Sequence, residues 1–262
     1  MKKVKFLAKT GLILILTALL ISGCGAKDAA QGDEKGGSTG QSQPVTLKVG
    51  ATPVPHAEIL NAAKEALAKE GINLEVVEFQ DYVQPNLSLA DKELDANFFQ
   101  HIQYLNSFNK DHNLNLVSAA GIHVEPMGVY SNKIKDLSEV TEGSKVAIPN
   151  DVSNGSRALL LLQDAGLIKL DPAKEEISKK NIVENPKKLQ ITELEAAMLP
   201  KVLDDVQFAV INTNYALDAG LNPMKDALFM EGKDSPYVNI IATRSGDENN
   251  PAIQKLIKAL TS

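Results

Sequence analysis

Hydrophobic and polar positions follow two different periods along the chain after Pro44. Apolar β-branched runs with a period of two predict strands, and apolar residues spaced three and four apart predict helices. Strands are predicted at residues 46–51, 74–79, 95–99, 145–149, 206–211 and 237–243. Helices are predicted at residues 56–69, 101–111, 156–165 and 193–203. This alternation indicates βαβ units, mostly parallel sheets and an α/β fold class.

Residues 1–23 have the pattern of an export signal. Four lysines precede a run of Leu and Ile, which is too short to cross a bilayer as a mature transmembrane helix. Ser22 and Gly23 follow this run, and Cys24, the only cysteine of the chain, comes next. The order resembles a bacterial lipobox, in which the cysteine is acylated and becomes the new N-terminus. The alternative is an ordinary signal peptide with an incidental cysteine.

Residues 24–44 predict a flexible tether behind the acylated cysteine. From Gly25 to Pro44 the chain has no apolar residue larger than Ala, so this segment cannot bury enough surface to fold. A flexible coil of about 20 residues spans roughly 25 Å. Removal of the signal lysines takes the formal net charge from −6 to −10. Such an acidic protein is not expected to bind nucleic acid or an anionic lipid surface.

Motifs for catalysis and for metal binding are missing from the sequence. It contains no Gly-rich phosphate loop, no Gly-x-Ser-x-Gly and no His-Glu-x-x-His. His123 and Glu125 form a His-x-Glu string, but the Cys-x-x-Cys half of a zinc deaminase site is absent. We therefore expect no catalytic residue, no metal site and no cofactor.

Aromatic and imidazole groups concentrate around the junction of the strand at 95–99 with the helix that follows. Tyr82 precedes this junction, and Phe99, His101 and Tyr104 lie on it. Ligands of α/β proteins bind at the carboxyl ends of strands, so these residues are candidates for a binding site. The alternative is that the phenylalanine belongs to the core and that His101 and Tyr104 line one helical face.

An isolated arginine follows a strand and opens the next helix. Ser153 or Asn154 is the predicted N-cap, which places Arg157 in the first helical turn. The helix dipole disfavours a cation there, so we expect an anion beside it. A guanidinium fork together with free backbone N–H groups suits a carboxylate or a phosphate. A surface ion pair is the alternative.

Two asparagines, Asn212 and Asn239, follow or interrupt apolar strands. A polar amide in such a position needs a partner, and its carbonyl oxygen can accept from an ammonium group without adding charge. A turn or a strand-end cap is the alternative.

The order of these strings resembles the methionine-binding lipoproteins of bacterial ABC importers, the MetQ/NlpA family of substrate-binding proteins. The matching strings after the lipobox are Gly50-Ala-Thr-Pro-x-Pro-His56, Asp81-Tyr-Val83, Asp95-Ala-Asn-x-Phe-Gln-His-x-x-Tyr104, Asn154-x-x-Arg157, Ala209-Val-Ile-Asn-Thr213 and Tyr237-Val-Asn-Ile240. The resemblance implies a non-enzymatic protein with a two-lobed periplasmic-binding-protein fold of type II and a ligand cleft between the lobes. Lobe 1 is expected at 45–125 plus about 235–262, and lobe 2 at about 126–234.

The resemblance also implies a role for each candidate residue. The methionine thioether is expected in a slot of Tyr82, Phe99, His101 and Tyr104, with Phe98 left in the core. Arg157 is expected to pair bidentately with the α-carboxylate. Asn212 and Asn239 are expected to accept from the α-ammonium.

The implied partners are L-methionine, an ABC permease with its ATPase, and the membrane, reached through the lipid on Cys24. The protein is expected to be a monomer on the outer side of the cell membrane. Alternative ligands are D-methionine, methionine sulfoxide, a methionine-containing dipeptide or another apolar amino acid, and the alternative role is adhesion. Members of the family usually continue past residues 257–262 with a further helix and a short tail that pack on lobe 1; if Ser262 is the native end, lobe 1 is expected to lack this part of its packing.

Overall fold

The computed structural model describes residues 44–173 and 177–262. The predicted signal peptide, Cys24 and all of the predicted tether except Pro44 lie outside the described residues. The strands are β1 (Val45–Ala51), β2 (Ile72–Glu78), β3 (Ala96–His101), β4 (Leu116–Val124), β5 (Gly128–Tyr130), β6 (Lys145–Pro149), β7 (Lys169–Leu170), β8 (Ile182–Glu184), β9 (Gln190–Leu194), β10 (Phe208–Ile211), β11 (Phe229–Met230) and β12 (Val238–Arg244). The helices are α1 (Glu58–Lys69), α2 (Gln84–Ala90), α3 (Ile102–His112), α4 (Val152–Asp164), α5 (Thr213–Asp218), α6 (Pro223–Asp226) and α7 (Pro251–Leu260).

The first of two five-stranded sheets has the order β2-β1-β3-β12-β4. β1 is parallel to β2 and β3, with Val49 opposite Ala96, whereas β12 is antiparallel to both of its neighbours. Buried side chains of α1 and α7, among them Leu60 and Leu256, pack with Val49 in one apolar cluster. The spacing of these apolar residues places one face of each helix on the sheet.

The second sheet has the order β11-β5-β10-β6-β9. β6 is parallel to β10 and to β9, whereas β5 is antiparallel to both of its neighbours. α4 buries Leu159 and Leu162 in an apolar cluster with Val146 of β6. This helix directly follows β6, so its first turns lie at the carboxyl edge of the sheet.

The chain crosses between the sheets in two short segments. Residues 125–127 lead from β4 to β5, and residues 231–237 lead from β11 to β12. Both sheets are therefore mixed and not mostly parallel, because β5 and β12 are reached by these crossings and not by βαβ connections. Each sheet takes its strands from one of the two predicted lobes. The lobe boundaries themselves stay a prediction.

Two local predictions from the sequence were wrong. Asp151, and neither Ser153 nor Asn154, caps α4: its carboxylate accepts from the backbone N–H of Asn154 at 2.8 Å. The helix thus begins earlier, and Arg157 lies in its second turn.

The predicted helix at 193–203 is divided between two elements. Its first residues pair with β6 as the end of β9, and the remainder is the 3₁₀ segment Ala196–Val202, which contains Pro200. Proline has no N–H to donate and disfavours a longer α-helix.

Candidate functional site

A narrow cavity of about 310 Å³ lies between elements of the two sheets. Only about 20 Å³ of this space can hold the centre of a water-sized sphere, which is room for about one water molecule. All seven ligand-contacting residues predicted from the sequence line it: Tyr82, Phe99, His101, Tyr104, Arg157, Asn212 and Asn239. Five further residues line it that were not assigned to the site: Gln100, Glu125, Asn154, Thr213 and Asn214. The structure thus brings the three candidate stretches together, while their role in binding stays a prediction.

The position of the cavity follows from where the strands end. His101 is the last residue of β3 and the N-cap of α3, and Asn212 directly follows β10 as the N-cap of α5. Asn154 lies in the first turn of α4, just after β6. Polar side chains at these strand-to-helix junctions point into one space, as expected at the carboxyl ends of strands in an α/β protein.

Three aromatic rings form one wall of the cavity. The ring centroid of Tyr82 lies 5.7 Å from that of Phe99 and 5.6 Å from that of Tyr104. The Tyr82 hydroxyl donates to Asn214 Oδ1, and the Tyr104 hydroxyl donates to the Tyr82 carbonyl at 3.0 Å. The polar ends of both tyrosines are therefore used within the protein, which leaves their ring faces and edges for an apolar ligand. Phe98, by contrast, is fully buried, as the core assignment predicted.

His101 is a fixed hydrogen-bond donor at the cavity. Its Nδ1 accepts from the backbone N–H of Tyr104 at 3.1 Å, which assigns the ring proton to Nε2. Nε2 then donates to Asn154 Oδ1 at 3.1 Å. Burial, together with the nearby Arg157 cation, lowers the pKa of His101 to about 4. The imidazole is therefore neutral near pH 7.

Asn154 is oriented by the partly buried carboxylate of Asp151. Its Nδ2 donates to both Asp151 oxygens at 3.1 Å, so its Oδ1 faces the cavity. There Oδ1 accepts from Asn212 Nδ2 at 2.8 Å and from His101. Burial raises the pKa of Asp151, although hydrogen bonds from Asn154 oppose this effect. The sequence indicated Asn154 only as a possible helix cap, because its partners lie far away along the chain.

The two asparagines predicted to bind an ammonium group present their amides differently. The Nδ2 of Asn212 donates a hydrogen bond to Asn154 Oδ1. The Oδ1 of Asn212 is buried and has no hydrogen-bond partner in the part of the chain that the structure describes. A buried acceptor without a donor costs about 1 to 3 kcal/mol, so a ligand donor at this atom would remove that cost. Asn239 lies in β12, is 6% exposed and lines the same cavity.

Arg157 is part of a buried ion pair. The guanidinium is held by the Glu231 carboxylate through Nε at 2.7 Å and through Nη2, and Nη2 also donates to the Glu125 carbonyl. Its carbon Cζ lies 4.2 Å from the centre of the Tyr237 ring. The anion expected beside this arginine is therefore Glu231, in an ion pair that is buried and not on the surface.

These hydrogen bonds involve two of the three guanidinium nitrogens of Arg157. Nη1 of Arg157 has no hydrogen bond within residues 44–173 and 177–262, whereas Nε and Nη2 are in use. A carboxylate in the cavity can accept from Nη1, and the predicted bidentate pairing would require Glu231 or the Glu125 carbonyl to give way. The sequence offered no signal for Glu231, and Tyr237 entered only as the first residue of a family string, because both belong to the second crossing segment and meet Arg157 only in the fold.

In the described ranges, no helix combines the length and the apolar character needed to cross a membrane.

Comparison with known proteins identifies close relatives. The sequence model of the NlpA lipoprotein family matches residues 47–262. The D-methionine-binding lipoprotein MetQ of Escherichia coli (strain K12) is 43% identical over 252 residues, which are 95% of this chain and 88% of that protein.

Two solved structures share both the fold and much of the sequence. A nutrient-binding protein from Burkholderia cenocepacia bound to methionine has a TM-score of 0.80 and 49% identity, over 82% of this chain and 92% of its own. A periplasmic substrate-binding protein of an ABC transporter from Coxiella burnetii has a TM-score of 0.80 and 44% identity, with the same coverage. The α/β, two-lobed substrate-binding fold expected from the sequence is thus confirmed.

Proposed function

The chain belongs to the NlpA lipoprotein family, and from this premise we propose that it captures L-methionine between its two lobes and delivers it to an ABC importer. One observation carries the proposal: a single cavity is lined by three aromatic rings, by Arg157 and by Asn212, whose amide oxygen has no hydrogen-bond partner in the described residues. An amino acid with a long apolar side chain offers the complementary groups. We infer that the protein binds its ligand without catalysing a reaction.

The polar end of the cavity suits a zwitterion. Arg157 Nη1 is the donor for the α-carboxylate, and Asn212 Oδ1, with the amide of Asn239, accepts from the α-ammonium. Glu231 pairs with the guanidinium, and Glu125 adds a second carboxylate to the lining of the cavity. A zwitterion brings no net charge into this site, whereas a lone carboxylate would bury a further negative charge at high cost.

The aromatic end suits a thioether. A methionine sulfur near the ring edges of Tyr82, Phe99 and Tyr104 gains about 0.3 to 1.5 kcal/mol. Burial of the rest of the side chain adds roughly 1.5 to 3 kcal/mol. Leucine would gain the contribution from side-chain burial but not the contribution from the sulfur–aromatic contacts. A preference for methionine over leucine therefore follows from the aromatic rings.

Delivery follows from the two-sheet architecture. We propose lobes at 45–125 plus about 235–262 and at about 126–234, with the crossing segments 125–127 and 231–237 as the hinge. Ligand would bind the open form, and closure would create the surface that docks on a permease whose ATPase drives import. The lipid on Cys24 would hold a monomeric protein at the outer face of the cell membrane.

Isothermal titration calorimetry tests the ligand assignment. The protein is unfolded and refolded beforehand, so that ligand acquired in the cell is removed. We expect saturable heat with L-methionine and weaker binding of leucine. D-methionine is titrated in parallel, because the E. coli relative is named for that isomer. If L-methionine gives no heat while leucine or a dipeptide binds, the substrate assignment is wrong.

Replacement of Arg157 needs a design that protects the fold. Arg157→Met alone would leave the Glu231 carboxylate buried without its partner, so lost binding could come from unfolding. The double variant Arg157→Met/Glu231→Gln removes both charges, and Glu231→Gln alone is its matched control. We expect the double variant to melt cooperatively and to lose methionine binding. Unchanged affinity in the folded double variant would remove the role assigned to Arg157.

A further inference from the structure

Two histidines and one glutamate converge beside the ligand cavity, where β4 leads into the first crossing segment. Oε1 of Glu125 lies 3.2 Å from His56 Nε2 and 2.6 Å from His123 Nε2. All three atoms lie within 4.8 Å of one another. The turn Pro53–Ala57 supplies His56, His123 lies near the end of β4, and Glu125 is the first residue of the crossing segment 125–127. The fold thus assembles a donor set that the sequence spacing did not indicate.

The hydrogen-bonding groups of this cluster are not fully used by the described protein. His56 is completely buried, and its Nε2 has no hydrogen bond although it lies near the carboxylate oxygen. His123 Nδ1 is likewise buried without a partner in the described ranges. Each such atom costs about 1 to 3 kcal/mol if nothing binds to it. A cation between these donors would use the lone pair of His56 Nε2 and offset part of that cost.

A second contact, to the ring nitrogen that faces away from the cluster, is compatible with the His56 tautomer that a metal requires. His56 Nδ1 lies 2.8 Å from the buried hydroxyl of Thr52. With the ring proton on Nδ1 and donated to this hydroxyl, Nε2 carries a lone pair directed at the cluster. Metal-binding histidines usually have such a partner on their second nitrogen. The Phe98 ring packs in T-shaped geometry against both imidazoles, with centroid distances of 4.7 Å to His56 and 5.3 Å to His123.

We propose that His56, His123 and Glu125 form a Zn²⁺ site with two nitrogen ligands and one carboxylate ligand. This is the donor set of zinc sites that keep a fourth position for water. Two ligand atoms about 2.0 Å from one tetrahedral ion lie roughly 3.3 Å apart. The His56–Glu125 distance of 3.2 Å already matches this value. The His123–Glu125 distance must widen, and the His123 side chain, 26% exposed, has room to rotate.

A metal at this site would restrain the segment that connects the two sheets. Glu125 lines the ligand cavity, and its backbone carbonyl accepts from Arg157 Nη2. A metal held by its carboxylate would fix this residue and, through the carbonyl, the guanidinium. The metal site needs no methionine, so its test is independent of the proposed transport function.

Titration of the purified full chain with Zn²⁺ tests the site, with a chelator wash first and no histidine tag. His123→Gln removes one ligand at a partly exposed position. His112→Gln is the matched control, because His112 is exposed and lies outside the cluster. Glu125→Gln is a second variant, which keeps the side-chain volume. Thermal melting shows that each protein is folded, and Co²⁺ absorption reports on coordination geometry.

We expect one Zn²⁺ per chain in the wild type and in His112→Gln, a tetrahedral Co²⁺ spectrum, and a rise in melting temperature on addition of metal. His123→Gln and Glu125→Gln should each weaken the affinity about tenfold or more. The proposal is overturned if the wild type binds no stoichiometric zinc. It is equally overturned if the folded His123→Gln and Glu125→Gln proteins bind zinc as tightly as His112→Gln.

Discussion

Replacement of Glu231 by glutamine should destabilise the whole protein. Its carboxylate receives hydrogen bonds from Arg157 Nε and Nη2, from the backbone N–H of Met127 at 2.9 Å and from the Ser235 hydroxyl at 3.1 Å. Glutamine keeps the volume but presents an NH₂ group to donors, and it leaves Arg157, which is 3% exposed, without a counter-charge. Loss of one partner of a buried ion pair costs about 3 to 5 kcal/mol.

Urea unfolding followed by circular dichroism measures this cost. With a slope near 3 kcal/mol/M, a loss of about 3 kcal/mol moves the unfolding midpoint by roughly 1 M. The control is Glu142→Gln, which breaks the exposed pair between Lys188 and Glu142, with side chains 75% and 63% exposed. That change should cost less than about 1 kcal/mol. If both variants shift the midpoint equally, the pair of Arg157 and Glu231 is not the buried, coupled element described above.

Three further predictions concern single side chains. The folded-state pKa of His101, about 4, lies below its ordinary value of 6.5, so its contribution to stability is complete above pH 6.5 and is lost as the pH falls toward 4. This shift corresponds to about 3 kcal/mol. His101→Asn keeps an N-cap acceptor and should flatten the dependence of unfolding free energy on pH in this window; an unchanged slope would contradict the assignment. Tyr82→Phe removes the hydroxyl that donates to Asn214 and should lower the unfolding free energy by about 1 kcal/mol in urea, with an unchanged denaturant slope; no loss would mean that water replaces this bond. Cys24→Ala should bind methionine with wild-type affinity in calorimetry but leave the membrane fraction of cells, and continued membrane association would argue against a lipid anchor.

Much of the fold was predictable because its signals are local. The alternation of apolar positions in β1 and the helical spacing in α1 depend on neighbours a few residues away, and both elements lie close to where the pattern places them. Two of the wrong assignments have non-local causes. The end of β9 is a strand because β6 pairs with it, and β12 is antiparallel because the chain returns from the second sheet before entering the first.

The candidate site was likewise predictable only in part from the sequence. Each predicted stretch contains residues whose chemistry is unusual for its setting, such as an arginine among lysines or an amide after an apolar strand, and all of these residues line the cavity. The residues that determine the hydrogen bonding and the orientation of these side chains could not be identified from the sequence. Glu231 decides which guanidinium nitrogen is free, and Asp151 decides which way Asn154 faces.

By itself, the sequence predicted an α/β protein with a lipobox-like motif, no catalytic motif and three stretches suited to binding a ligand, and its resemblance to a known family indicated an amino acid as that ligand. Composition, periodicity and short motifs can be recognised from residues that are close together in the sequence, so they can be used before the fold is known. Only the tertiary structure decided which hydrogen-bond donors and acceptors remain free for a ligand. It also placed His56 beside His123 and Glu125, because burial and pairing depend on which distant segments the two sheets bring into contact.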